Sequence, residues 1–163
     1  EINNNKPSLS GTAIFLYEHR ACKIDYLVNC DSKWHTVETL VKGYIGSRPF
    51  DLRVTKDRTG WKINGIKQPK LIECKDIDLG FSPATNLLPI RRLALNPHDQ
   101  AEFVAAWLKF PEMVLELLPQ SYRRINETRF EYTSRNGAFQ KILQVNSSGF
   151  VTEYPGLWMA VTP

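Results

Sequence analysis

Trp34–Gly65 reads WHTVETLVKGYIGSRPFDLRVTKDRTGWKING, and its alternation decides the fold class. From Trp34 to Ile45 one set of positions carries His35, Val37, Thr39, Val41 and Ile45, and the other carries Trp34, Thr36, Glu38, Leu40 and Tyr44. Phe50, Leu52 and Val54 then alternate with Asp51, Arg53 and Thr55. A period of two puts each set on one side of a strand, so these runs are strands with at least one face buried. Asp57-Arg58-Thr59-Gly60 separates two such runs. Asn64-Gly65 follows Trp61 and Ile63, and Asn-Gly is the strongest short hairpin signal because both residues tolerate positive φ.

The same punctuation continues toward the C-terminus. Phe130, Tyr132, Ile142 and Leu143 keep the β character, with Arg135-Asn136-Gly137 and Ser147-Ser148-Gly149 as turns. Turns at this interval predict a sandwich, barrel or roll. Asp99 to Phe110 admits two readings. A capped helix would group Phe103, Val104, Trp107 and Leu108, whereas a strand stopped by Pro111 would send Phe103, Ala105 and Trp107 inward. The strand is preferred. Residues 1–8 read as a loose terminus or turn, and Glu153-Tyr154-Pro155 as the end of the last strand. No repeat, linker or composition break divides the chain, so one domain is expected over residues 1–163.

Composition excludes several classes. With 42% hydrophobic and 23% charged residues the chain is globular rather than disordered. No apolar run approaches the roughly 20 residues that span a bilayer as a helix. The net charge of +4 is dispersed among Asp and Glu, with no basic patch or nucleic-acid motif, so no nucleic-acid partner is expected. Cys22, Cys30 and Cys74 lack metal-ligand spacing, and their odd number suits a reducing compartment. A cytoplasmic location is therefore expected, although the chain begins at Glu1 rather than Met and is compatible with a leader removed upstream. His19, His35 and His98 are scattered, and no catalytic motif occurs. No metal or cofactor is expected.

The most distinctive stretch is DIDLGFSPATNLLPIRRL, Asp76 to Leu93. Asp76 and Asp78 alternate with Ile77 and Leu79, which places both carboxylates on one strand face. Ser82-Pro83 and Leu88-Pro89 read as two rigid, extended bends around Thr85-Asn86, whose side chains can bond backbone groups there. If Ile90 to Leu95 is a strand, Arg91 and Arg92 emerge on opposite faces. The carboxylates could serve acid–base chemistry or hold a cation, and an arginine could bind phosphate or carboxylate. The plainer reading, an Asp–Arg pair bracing a structural bend, is the commoner arrangement.

This run resembles the signature of the putative glycolipid-binding family of bacterial proteins. The similarity extends through AAWLKFP (Ala105–Pro111), QSYRR (Gln120–Arg124), Tyr132 and GFVTEYPGLW (Gly149–Trp158), with Trp34 and Gly60-Trp61 upstream. It covers roughly Gly11 to Trp158. The resemblance implies an all-β fold, an antiparallel β-roll or half-barrel with at most one or two short helices, similar in shape to the lipoprotein carriers of the bacterial envelope. It also implies a further N-terminal strand before Glu1. A chain lacking that strand would expose a sheet edge and weaken pairing near residues 9–16.

Three functions follow as expectations. The first is a non-catalytic carrier or sensor with an apolar cavity for an amphipathic small molecule such as a glycolipid. Its ligand-binding residues would be Asp76, Asp78, Thr85, Asn86, Arg91, Arg92, Tyr122 and Trp61. Trp34, Trp107, Trp158, Tyr132 and Tyr154 could join them at a sugar or lipid cleft, although filling the core is the commoner role of such rings. The second is an enzyme acting on a glycoside or lipid headgroup with Asp76, Asp78 or Glu153 as acid and base, which needs two carboxyls about 5–10 Å apart across one cleft. The third is a structural or interaction domain with a filled core.

Overall fold

The computed structural model describes residues 6–161. Six strands, β1 (Ser8–Tyr17), β2 (Arg20–Cys30), β3 (Thr36–Ile45), β4 (Arg48–Asp57), β5 (Gly60–Ile63) and β6 (Ile66–Gln68), form a meander in which each pairs with the next. A seven-stranded sheet follows: β7 (Ile77–Leu79), β8 (Gln100–Lys109), β9 (Val114–Arg124), β10 (Arg129–Ser134), β11 (Phe139–Val145), β12 (Val151–Tyr154) and β13 (Trp158–Met159). All pairings are antiparallel except that of β7 with β8. The helix α1 (Leu87–Leu93) lies between β7 and β8. This is the expected all-β roll.

Local chemistry explains most of the meander. Asn64 and Gly65, at φ 47° and 82°, close the β5–β6 hairpin as anticipated, and the Asn64 carboxamide oxygen accepts the Arg53 amide at 2.8 Å. The stretch expected as strand or helix does form a strand, β8 at Gln100–Lys109, and from Ala105 onward both of its faces are covered. At Gly43 an added Cβ would lie 2.0 Å from the Lys23 carbonyl, so only glycine allows β2 and β3 this approach.

Five expectations need correction. Pairing near residues 9–16 is not weakened: β1 and β2 hold one register from Ser8↔Asn29 to Tyr17↔Arg20. Their two-residue turn, Glu18-His19 at φ 47° and 63°, matches the strand twist, so the hairpin is zipped by its own residues. The expected face assignment in β3 breaks at its start. A register shift opposite Asn29/Cys30 turns Thr36 inward and Val37 out, and the alternation holds from Thr39 to Ile45. Ile90–Leu95 is not a strand and Leu88-Pro89 is not an extended bend. Pro89 lies in the first turn of α1, where its missing N–H costs nothing, and burial of Leu87 and Leu88 holds that turn. The chain also does not finish at Tyr154, because β13 turns back to pair Tyr154 with Trp158. Of the loose terminus expected for residues 1–8, Ser8 instead opens β1, while residues 1–5 and the expected strand preceding Glu1 lie outside the described residues.

Two apolar clusters result. The larger joins the first sheet's inner face (Ile24, Val28, Val41, Val54, Trp61) to Ile77, Leu79, Leu88 and Leu108. The smaller, on the second sheet, is rich in tyrosine: Tyr122, Phe130, Tyr132, Leu143, Val145 and Tyr154, with Ile90 and Phe103 against it. Thr36 stitches the sheets together, its hydroxyl accepting the Ile77 amide and its own amide reaching the Lys75 carbonyl, each at 3.0 Å. Asp76–Leu93 therefore lies at the seam between the clusters.

Candidate functional site

A cleft of about 600 Å3 opens along this seam. Its polar floor comes from Asp78 on β7, Asn86 before α1, Tyr132 and Ser134 on β10, and Tyr154 on β12. Phe15, Phe81, Phe110 and Leu118 make an apolar wall, and Trp107, Phe139, Leu157 and Trp158 border the rest. Phe110 is the hub of the wall, with its ring centroid 5.3 Å from Phe15, 5.0 Å from Tyr17 and 6.5 Å from Phe81. Trp107 fits because Gly80 has no side chain: an added Cβ would sit 2.7 Å from the indole nitrogen.

Behind the floor, side chains fix one another. The Gln120 amide nitrogen donates to Asp78 Oδ2 at 2.6 Å and to the Tyr132 hydroxyl at 3.1 Å. The Asn86 amide nitrogen donates to the Tyr122 hydroxyl at 2.6 Å. Thr85 is internal to the bend, its hydroxyl accepting the Leu79 amide at 3.0 Å. Burial pushes the Asp78 carboxyl up to about 6, with the Gln120 bond opposing this and the Asp76 charge adding to it. Burial also raises the Tyr122, Tyr132 and Tyr154 hydroxyls, which stay neutral near pH 7. Arg135 partly offsets the rise at Tyr132 and Tyr154.

Several polar atoms have no protein partner among the described residues: Asp78 Oδ1, Asn86 Oδ1, the Tyr154 hydroxyl and Trp107 Nε1. None is sealed from solvent, since the single buried unpartnered side-chain atom found among those residues is Thr39 Oγ1. The floor thus offers two fixed acceptors, a hydroxyl and an indole N–H beside aromatic rings.

The residues singled out from sequence divide between cleft and frame. Asp78 and Asn86 line the cleft, and Tyr122 sits directly behind Asn86. Asp76, 1% exposed, is held by Arg92, and Arg92 also lies over the Phe103 ring at 4.9 Å. Arg91 is exposed over Trp34, beside a separate depression of about 240 Å3. Trp61, 1% exposed, fills the larger core and donates its indole N–H to the Cys74 carbonyl at 3.0 Å. Gln120, Arg135 and Phe15 were not singled out for the site. Gln120 carried a signal, since it lies two residues from Tyr122 on the same strand face. A turn arginine carries none.

The glycosidase geometry is not met. Asp76 is engaged with Arg92, and among the described residues lining the cleft Asp78 is the one carboxylate. Nor do the described residues contain a group of three His, Cys, Asp or Glu placed to hold a metal. No helix among them is long and apolar enough to cross a membrane.

The model of a family described as putative glycolipid-binding matches residues 1–160. The crystal structure of a DUF1089 family protein from Pseudomonas aeruginosa superposes with a TM-score of 0.82 at 28% identity, covering 95% of this chain and 94% of that one. No curated protein matches. With a family match that runs through both sheets and every strand of the cleft, the chain belongs to the putative glycolipid-binding family.

Proposed function

We propose that the protein binds an amphipathic glycoside in the seam cleft, as a carrier or sensor that performs no chemistry on it. The observation that carries this reading is the pairing of unfilled acceptors at Asp78 and Asn86 with an apolar wall of Phe15, Phe81 and Phe110 in one cleft. Sugar hydroxyls are donors that suit such acceptors, and rings such as Trp107 suit a sugar face. An acyl chain along the wall gains about 0.8 kcal/mol per buried methylene. The cleft falls within the roughly 300–1,000 Å3 of small-molecule sites, which disfavours a module with a filled interior. A reducing, cytoplasmic setting fits the thiols. All three are free and buried, and burial pushes Cys30 up to about 12 and Cys74 up to about 11, so both are unreactive.

The test is native mass spectrometry of the purified protein with organic extraction, alongside melting curves in octyl glucoside below micelle formation, in octanol and in glucose. A retained lipid-sized ligand, or a melting temperature raised by octyl glucoside more than by either half alone, supports the reading. No retained ligand together with unchanged melting temperatures sinks it.

A further inference from the structure

One cation lining the cleft and a second on the neighbouring strand have no carboxylate partner among the described residues. Arg135 borders the cleft, with its guanidinium carbon 5.2 Å above the Trp107 ring and no carboxylate or other hydrogen-bond partner among the described residues. Lys141 stands opposite Tyr132 in the β10–β11 register, and cross-strand partners project to the same face, here the one that carries the tyrosine floor. Its ammonium lies 5.9 Å from the Phe139 ring, another cleft residue, and also lacks a carboxylate. Elsewhere Arg20, Arg92, Lys109, Arg123 and Arg124 each have a carboxylate partner, whereas Arg91, over the Trp34 ring, has none among the described residues but lies outside this cleft.

The backbone holds Arg135 in an unusual way. Arg135, Asn136 and Gly137 follow one another at φ 53°, 54° and 88°, a left-handed run that residues with side chains rarely adopt. A guanidinium held over an indole without hydrogen-bond partners leaves its N–H groups free, and these match a carboxylate, phosphate or sulfate. Asp78 is engaged with Gln120 and forms no ion pair with either cation.

We infer that the ligand's headgroup is anionic, bearing a carboxylate, phosphate or sulfate that Arg135 binds, with Lys141 adding positive charge at the same face. This rests on the cleft-binding reading. A hydroxyl-rich ring would meet Asp78 and Asn86 while its acidic substituent meets Arg135, so acidic glycolipids are selected over neutral ones.

Calorimetric titration with octyl glucoside, octyl glucuronide and octyl glucoside 6-phosphate tests this, with inorganic phosphate as the free-anion control. These share chain and ring and differ in charge. At least one acidic ligand should bind about tenfold more tightly than octyl glucoside, as charge-assisted hydrogen bonds allow. In the Arg135→Gln/Lys141→Gln double variant that ratio should fall to about one, with its fold checked by circular dichroism. The two acidic arms identify the anion preferred. Equal binding of neutral and acidic glycosides overturns the inference and leaves cleft binding standing. A preference that survives in the double variant overturns the assignment to these cations. Binding of inorganic phosphate as tight as that of the phosphorylated glycoside makes the site a free-anion site and overturns it too. If no glycoside binds, both readings fall.

Discussion

Arg92 closes on Asp76 with its Nε 3.0 Å from each carboxylate oxygen and its Nη2 2.5 Å from one of them. Asp76 is 1% exposed and the Arg92 side chain 11%, so the pair is shielded from water and ties α1 to the start of β7. Breaking a buried pair leaves one charge uncompensated, which costs about 3–5 kcal/mol. Arg92→Met should therefore lower stability by that order in urea denaturation, whereas Arg91→Met, on an exposed arginine, should change it by about 0.5 kcal/mol or less. Equal effects of the two would show that the pair does not brace the seam.

Asp78 should give the protein a pH signature. Its carboxyl lies near 6 in the folded chain against an ordinary 3.8, so the native state holds the proton more tightly than the unfolded state. Stability contributed by this group is present below the lower value and is lost as pH rises through the window to about 6. Asp78→Asn should flatten that part of the melting-temperature profile and raise stability at pH 7 by on the order of 2 kcal/mol. A variant with the wild-type slope between these pH values would contradict the assignment.

Thr39 is fully buried on β3, and its hydroxyl has no partner among the described residues. An unmet buried hydroxyl costs free energy, and valine has the same shape without it. Thr39→Val is expected to stabilise the protein by about 1 kcal/mol in equilibrium unfolding. A destabilised variant would mean that the hydroxyl is satisfied in solution.

Gly80 sets the position of the cleft's tryptophan. An added Cβ would lie 2.7 Å from Trp107 Nε1 and 3.1 Å from the Leu108 carbonyl, so indole or backbone must shift. Gly80→Ala should cost about 1–3 kcal/mol and alter near-ultraviolet circular dichroism and tryptophan fluorescence. It should also weaken octyl glucoside binding. An unchanged tryptophan signal would show that the site tolerates the methyl.

The strands and several turns were legible because their signals are short. Alternation in Phe50–Thr55 and the Asn64-Gly65 pair act through neighbours a few residues apart, and both appear where expected. The β3 bulge was not legible, because it depends on the pairing of Asn29 and Cys30 with residues that alternation alone assigns differently. The helix at Leu87–Leu93 was missed for a related reason. Its proline, Pro89, reads as extended until burial of Leu87 and Leu88 selects the helical entry. Asp76 and Asp78 looked equivalent in sequence, and only their long-range partners, Arg92 and Gln120, separate a bracing carboxylate from one open to the cleft.

By itself the sequence determined an all-β chain of strands joined by short turns, through the steric preferences of turn residues and the two-residue period of buried side chains. The tertiary structure alone decided that Asp78, Asn86, Trp107, Tyr154 and Arg135, spread over five segments, meet at one cleft. That outcome depends on how the sheets curl together and on which polar atoms are already partnered. Neither property resides in any short stretch of chain.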